Sequence, residues 1–184
     1  MAVKTFMAMI DRNARSESGV RIRLATQRDV DKILFMINAE ASVSGAVDRV
    51  TEDMLKGWVA LGNSYVAEGQ GGTIVGHRAV LLINNGWAEL RSAVVDNAYR
   101  GNGVGYKLAE ALLDGFIRNN PEIKYIVSVK NEASNGRGIL LAIGFEKIPR
   151  NNALDSMLSI PNEERWELYV LDAERYRLKE SVRS

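Results

Sequence analysis

A glycine-rich turn between a strand and a long helix is the feature that most constrains how this chain can fold. The turn reads Arg100-Gly101-Asn102-Gly103-Val104-Gly105. Before it, apolar and polar residues alternate over 88–95, which predicts a half-buried strand. After it, apolar residues recur at helical spacing over 104–116, and Pro121 ends the helix. The sequence therefore predicts a strand that passes through a tight turn directly into an amphipathic helix.

This strand–turn–helix unit is a candidate anion site. The first amides of a helix have no intrahelical acceptor, and they lie at its positive end. Glycines allow a phosphate to approach the backbone, and Arg100 offers charge-assisted hydrogen bonds. The alternative is that the glycines only shape a tight turn. The P-loop pattern fails because Gly105 is followed by Tyr106-Lys107, and the dinucleotide pattern fails because the turn lies past mid-chain.

The first half of the chain predicts a strand, two helices and a meander. Alternation over 20–24 predicts a half-buried strand. Thr26 and Thr51 are candidate caps of two helices separated by a loop over 42–49, with Met54 on the buried side of the second helix. Two glycine-containing turns then predict a three-stranded antiparallel meander that leads into the glycine-rich turn.

The second half predicts further strands and helices, and the whole predicts one domain. A strand over 123–129 and a helix near 134–142 are followed by two strands. The fold class is therefore α/β, with a mixed, mostly antiparallel central sheet flanked by helices. We expect a leader over 1–19, the domain over 20–171, and a helical tail over 172–184 that is either a solvated helix face or an oligomer contact.

Composition excludes several classes of function. The chain has no cysteine and a single histidine, His77, so thiolate catalysis, disulfides and multi-histidine metal sites are excluded. The net charge of +1 gives no reason to expect a nucleic-acid partner. No apolar run approaches the roughly 18 residues that a membrane span requires. Residues 1–10 lack the pattern of a signal peptide, so we expect a cytoplasmic protein with no membrane partner and no metal.

The glycine-rich turn resembles a known signature. Arg100-x-x-Gly103-x-Gly105 after a Val-Val strand end resembles the acetyl-CoA signature, Arg/Gln-x-x-Gly-x-Gly/Ala, of the GNAT family of N-acetyltransferases. The predicted order of elements resembles that fold over about 20–171. Asn131 and the pair Gly144-Phe145 resemble the next motif of the family. The resemblance implies the GNAT fold and acetyl-CoA as co-substrate.

The resemblance also implies roles for individual residues. Val94 and Val95 would pair with the pantetheine arm, because the strand before the turn splays from its neighbour in this family. The amides of Arg100, Gly101, Asn102, Gly103, Val104 and Gly105 would hold the pyrophosphate. Asn131 would meet the far end of the pantetheine. Glu89 has the spacing of the family's glutamate base, and a base is required because a protonated amine cannot attack a thioester. The alternative is a solvated strand glutamate paired with a cation.

The general acid is not assigned. Many relatives carry a tyrosine four residues before the Gly-Phe pair, where this chain has Leu140. Either Tyr106, Tyr125 or Tyr169 substitutes for it, or water protonates the thiolate. Each tyrosine is more often a packing residue than an acid, and a lone strand histidine such as His77 is more often structural or exposed than catalytic.

The resulting hypothesis is an N-acetyltransferase that moves an acetyl group from CoA to a primary amine of a small, amino-acid-like molecule. A protein lysine or N-terminal amine remains an alternative acceptor, and a longer acyl group remains an alternative donor. A CoA-binding module without catalysis and a nucleotide-binding regulatory domain also remain open. A homodimer is compatible with the sequence.

Overall fold

The computed structural model describes residues 19–44, 47–84, 86–131, 136–158 and 166–183. The strands are β1 (Arg21–Leu24), β2 (Ser64–Glu68), β3 (Ile74–Asn84), β4 (Trp87–Val95), β5 (Tyr125–Asn131), β6 (Glu146–Ile148) and β7 (Trp166–Asp172). The helices are α1 (Val30–Ser44), α2 (Glu52–Ala60), α3 (Val104–Asn119), α4 (Arg137–Ile143), α5 (Asn152–Met157) and α6 (Ala173–Arg183). Most of the predicted leader, 1–19, lies outside the described residues.

The described strands form one sheet in the order β1-β2-β3-β4-β5-β7-β6. Neighbouring strands pair antiparallel except for β4 and β5, which pair parallel. A parallel pair requires a crossover, and α3 supplies it between β4 and β5. The sheet is therefore mixed and mostly antiparallel, which confirms the fold class predicted from the sequence.

Helices cover both faces of this sheet. Successive residues of a strand point to opposite faces, and in β2 Tyr65 and Ala67 belong to one apolar core while Val66 belongs to another. The first core contains the buried side of α3, including Leu108 and Leu112. The second contains the buried sides of α1 and α2. The strands next to the glycine-rich turn thus lie between two packed helical layers.

The cap at Thr51 follows the sequence, whereas three details differ. The sequence predicts Thr26 as the cap of the first helix, but Thr26 precedes a 3₁₀ turn (Gln27–Asp29), and α1 begins at Val30. Thr51 caps α2 by accepting a hydrogen bond from the amide of Met54, as predicted. The predicted loop over 42–49 is wrong at its start, because α1 continues to Ser44. Met54 was also expected to be buried, but its side chain is 43% exposed at the edge of a cavity described below.

The last third of the chain adds an element that periodicity did not predict. The short helix α5 is capped by Asn151, whose side chain accepts from the amide of Leu154. The first residues of the predicted helix near 134–142 lie outside the described residues, and α4 begins at Arg137. In α6, Tyr176 is buried in the first core and donates a hydrogen bond of 2.7 Å to Asp114. Among the described residues no helix is both long and apolar enough to cross a membrane.

Candidate active site

A slot opens where β4 and β5 separate. The parallel pairing joins Trp87–Glu89 to Tyr125–Val127 and stops there. One residue further on, the Ser128 hydroxyl donates to the carbonyl oxygen of Leu90 at 3.3 Å. The space beyond is a cavity of about 540 Å³, lined by Val94 and Val95 of β4. We call it the cofactor slot, and it runs to the glycine-rich turn.

A bulge in β4 lies beside the slot. The pairs His77–Val94 and Ala79–Arg91 leave two residues of β4 opposite one residue of β3. Within the bulge, Ser92 has a φ of 51°, in the left-handed region that few non-glycine residues adopt. Bulges of this kind redirect side chains and interrupt pairing. The bulge therefore changes the direction of β4 just before its backbone reaches the slot.

His77 fixes the bulge from the neighbouring strand. It is fully buried, with Nδ1 at 3.2 Å from the carbonyl oxygen of Ser92 and Nε2 at 2.8 Å from the hydroxyl of Ser64. A carbonyl can only accept, so Nδ1 carries the proton and Nε2 accepts from Ser64. Burial lowers the pKa of His77 to about 4, and the imidazole is neutral near pH 7. His77 therefore holds the bulge in place, and of the two non-catalytic roles expected from the sequence, structural or exposed, the structure shows the first.

The glycine-rich turn has the backbone of an open helix N-terminus. Gly101 and Gly103 have φ angles of 80° and 73°, and Gly103 caps α3 without a side-chain hydrogen bond. An added Cβ at either residue would contact nothing within 4 Å, so their φ angles are what require glycine. Gly105 differs, because a Cβ there would lie 3.0 Å from Ile139 of α4. Val104 and Gly105, which begin α3, both line the slot, and the first amides of a helix have no intrahelical acceptor.

The side chain of Arg100 is held by the protein itself. Its Nε donates to the carbonyl oxygen of Val95 at 2.9 Å, and its Nη2 donates to Glu40 of α1 at 2.8 Å. These bonds join α1 to the end of β4 across the mouth of the slot. The sequence predicts that this guanidinium binds phosphate, and such a bond would compete with Glu40. The exposed backbone of the turn remains the predicted phosphate ligand.

Glu89 lies in a second, smaller cavity of about 160 Å³ on the side of the sheet covered by α1 and α2. Its carboxylate is 14% exposed and lies 3.5 Å from Nε of Arg91. Arg91 in turn bonds Asp48 at 2.7 Å. Burial raises the pKa of Glu89, and the charge of Arg91 opposes that rise. A half-desolvated carboxylate with a raised pKa is a stronger base than an exposed one. We call this space the acceptor cavity.

Two buried cations were missed by the sequence analysis. Arg78 lines the cofactor slot and is 2% exposed, while Lys130 lines both cavities and is 8% exposed. Burial, reinforced by the charge of Arg78, lowers the pKa of Lys130 to about 7. The available signal was a charged residue inside an otherwise apolar strand. Such a residue is solvated when its strand lies at a sheet edge and can line a cavity when its strand lies inside the sheet, and only the sheet order separates these cases.

The candidate tyrosines, Leu140 and Asn131 lie in different parts of the structure. Tyr106 lines the cofactor slot, and its hydroxyl donates to Glu110 at 3.0 Å. Tyr169 is buried and donates to Glu167 at 2.8 Å, and Tyr125 packs on Trp87 with ring centroids 4.7 Å apart. Leu140 is fully buried in the first core. Asn131 is the last residue of β5, next to the segment 132–135, which lies outside the described residues.

Known proteins share both the sequence pattern and the fold. The sequence model described as the acetyltransferase (GNAT) family matches residues 35–139, more than half of the chain. The protein belongs to the GNAT family of acetyltransferases. The match covers both the bulge and the glycine-rich turn. The family that the sequence implied by resemblance is thus confirmed.

Solved structures of other GNAT proteins have the same fold. Rv2747 from Mycobacterium tuberculosis, solved in complex with CoA, superposes with a TM-score of 0.67 at 19% identity, over 82% of this chain and 98% of that one. N-acetylglutamate synthase from Neisseria gonorrhoeae, solved with coenzyme A and N-acetyl-glutamate, gives 0.68 at 16% identity over 86% of this chain. This chain spans only 36% of that larger protein. A GNAT-family acetyltransferase from Staphylococcus aureus Mu50 gives 0.67 at 19% identity, over 84% and 99% of the two chains.

Proposed function

We propose that this GNAT protein is an acetyl-CoA-dependent N-acetyltransferase that acts on a primary amine of a small, amino-acid-like molecule. The observation that carries the proposal is the meeting of two cavities at the β4 bulge. The cofactor slot leads to the bulge from the glycine-rich turn, and the acceptor cavity reaches Ser92 and Ala93 from the other side. A thioester in the slot and an amine in the acceptor cavity would therefore meet beside β4.

The cofactor would be held mainly by backbone groups. The amides of residues 100–105 would bind the pyrophosphate, and Val94 and Val95 would line the pantetheine arm. Asn131 would contact the far end of that arm. These roles follow from the family signature and agree with the separation of β4 from β5.

Glu89 would act as the general base. It would take a proton from the ammonium of the acceptor, directly or through one water, because only the neutral amine has the lone pair needed for attack. The neutral amine nitrogen then bonds to the thioester carbonyl carbon to give a tetrahedral adduct, and the adduct's nitrogen loses its second proton to water. The C–S bond then breaks, so that an amide and the CoA thiolate are formed. That thiolate takes its proton from water or from Tyr106, the candidate tyrosine that lines the slot.

The shape and charge of the acceptor cavity support a small acceptor. It encloses about 160 Å³ and places the carboxylates of Asp48 and Glu89 beside the cation of Arg91. A molecule that carries both an ammonium and a carboxylate would be complementary to this arrangement. N-acetylglutamate synthase, which shares the fold, was solved with N-acetyl-glutamate, the N-acetylated form of an amino acid.

Release of free thiol from acetyl-CoA, measured over a panel of amino acids and other amines, tests the proposal. Glu89→Gln should lower kcat by about 100-fold or more while calorimetry finds the same CoA affinity. The exposed Glu122 provides a matched control, and Glu122→Gln should leave both quantities unchanged. CoA binding without turnover on any amine would instead support a non-catalytic CoA-binding module. Failure to bind CoA would overturn the proposal.

A further inference from the structure

Arg78 is a buried cation without an ionic partner among the described residues. It lies in the middle of β3, and its Nε and Nη2 atoms are buried with no hydrogen-bond partner in the described part of the chain. Burial lowers its pKa to about 10, because the unpaired charge is poorly solvated. An uncompensated charge inside a protein is costly, and buried cations are usually paired. Since Arg78 lines the cofactor slot, a ligand in that slot is the group that can satisfy its donors.

A second cation lies beside it. Lys130 projects from β5 into the space shared by the two cavities, and the charge of Arg78 acts on its ammonium. Glu89 is the acidic group that acts on Lys130, but its carboxylate is shared with Arg91 at 3.5 Å. The inner end of the slot is therefore positively charged. It favours a ligand group with a negative charge.

The phosphates of the cofactor do not account for this charge. Arg78 lies on β3 between the pairs His77–Val94 and Ala79–Arg91, opposite the bulge. The glycine-rich turn that would bind the pyrophosphate follows the end of β4 at the opposite end of the slot. The anion that meets Arg78 must consequently belong to the reacting end of the complex, which means the acyl group or the acceptor.

We propose that Arg78 and Lys130 bind a carboxylate of one of the two substrates at the inner end of the slot. The planar guanidinium matches a carboxylate through two parallel N–H···O bonds, and a lysine ammonium adds a third donor group. The inference rests on the proposed function, since it assumes that CoA occupies the slot. The carboxylate has two sources: the far end of a dicarboxylic acyl-CoA, or the carboxylate of an amino-acid acceptor.

Two matched substrate pairs test this site and distinguish the sources. Succinyl-CoA and butyryl-CoA have acyl chains of equal length and differ by the terminal carboxylate. Each amino acid of the acceptor panel is likewise compared with its own carboxamide. In Arg78→Met, kcat/KM for the carboxylate-bearing member of one pair should fall by about 10- to 100-fold, and the neutral member should change little. A loss confined to the first pair identifies the acyl group, and a loss confined to the second identifies the acceptor.

The variant should fold, because replacing an unpaired buried charge by an apolar side chain of similar length is often neutral or stabilising. If Arg78→Met does not fold, Arg78→Gln carries the same comparison. Lys130→Met should show the same selective loss as Arg78→Met. Lys147→Met is the control, because Lys147 is 57% exposed, pairs with Glu167 and lines neither cavity, so the variant should affect all substrates equally.

Equal losses for charged and neutral members of both pairs, or no loss for any, would overturn the carboxylate site. Calorimetry with CoA separates that failure from a failure of the proposed function. A protein that binds CoA but does not discriminate carboxylates refutes this inference alone. A protein that does not bind CoA refutes the proposed function first.

Discussion

Lowering the pH from about 7.5 to about 4 should destabilise this protein through the single histidine of the chain, His77. Its folded-state pKa is lowered to about 4 by burial, whereas an exposed histidine in the unfolded chain titrates near about 6.5. Between these values the unfolded state binds a proton that the folded state does not. The stabilising contribution is therefore complete above about pH 6.5 and is lost as the pH falls toward about 4.

The size of the loss follows from the difference between the two pKa values. A shift of about 2.5 units at about 1.4 kcal/mol per unit predicts a loss of about 3 kcal/mol in the free energy of unfolding. This is a large part of the stability of a typical domain. The fully buried position of the imidazole makes the pKa difference a direct measure of stability, since solvent does not screen the charge.

Urea unfolding at several pH values measures this loss, and His77→Gln isolates it. Glutamine retains a donor and an acceptor for Ser92 and Ser64 but does not titrate. Carboxyl groups such as Asp29, whose pKa is lowered, also lose stability in acid, but they do so equally in both proteins. The wild type should therefore lose about 3 kcal/mol more than the variant between about pH 7.5 and about pH 4. Parallel curves for the two proteins would refute a buried, neutral His77.

Three further predictions concern the site and its turn. The kcat/KM of the acetyl transfer should fall as the pH drops through the raised pKa of Glu89, because the protonated carboxyl cannot act as a base. The acid limb of a pH–rate profile should therefore lie above the pH range of an ordinary glutamate, and an acid limb within that range would contradict burial of this base. Gly103→Ala should lower the free energy of unfolding by about 1–2 kcal/mol, measured by heat or urea, because the φ of Gly103 is positive. Gly138→Ala within α4 is the control: an added Cβ there meets nothing, so the change should be neutral or stabilising by up to about 1 kcal/mol, and equal effects of the two substitutions would show that a side chain does not strain the turn. The folded-state pKa of Lys130 is lowered to about 7, so above that pH the unfolded chain binds a proton that the folded protein does not. The free energy of unfolding of the wild type should therefore rise by about 2 kcal/mol relative to Lys130→Met between about pH 7.5 and about pH 9.5, and the absence of that difference would mean that Lys130 is solvated.

The order of the elements apart from α5, together with the glycine-rich turn, was determined by the sequence alone. Both depend on neighbours along the chain: apolar periodicity identifies the buried side of a helix or strand, and positive φ angles select Gly101 and Gly103. The cap at Thr51 is equally local. The sequence also indicated the GNAT family, because the acetyl-CoA signature consists of a few consecutive residues.

The tertiary structure alone decided which side chains meet. Arg100 bonds Glu40, sixty residues away, and Arg78 and Lys130 approach each other from β3 and β5. The pKa of a charged group depends on burial and on partners that are distant in sequence, so no pattern along the chain reveals an unpaired guanidinium. The slot beside the β4 bulge likewise depends on which strands are neighbours in the sheet, and the apolar pattern of a single strand does not specify its neighbours.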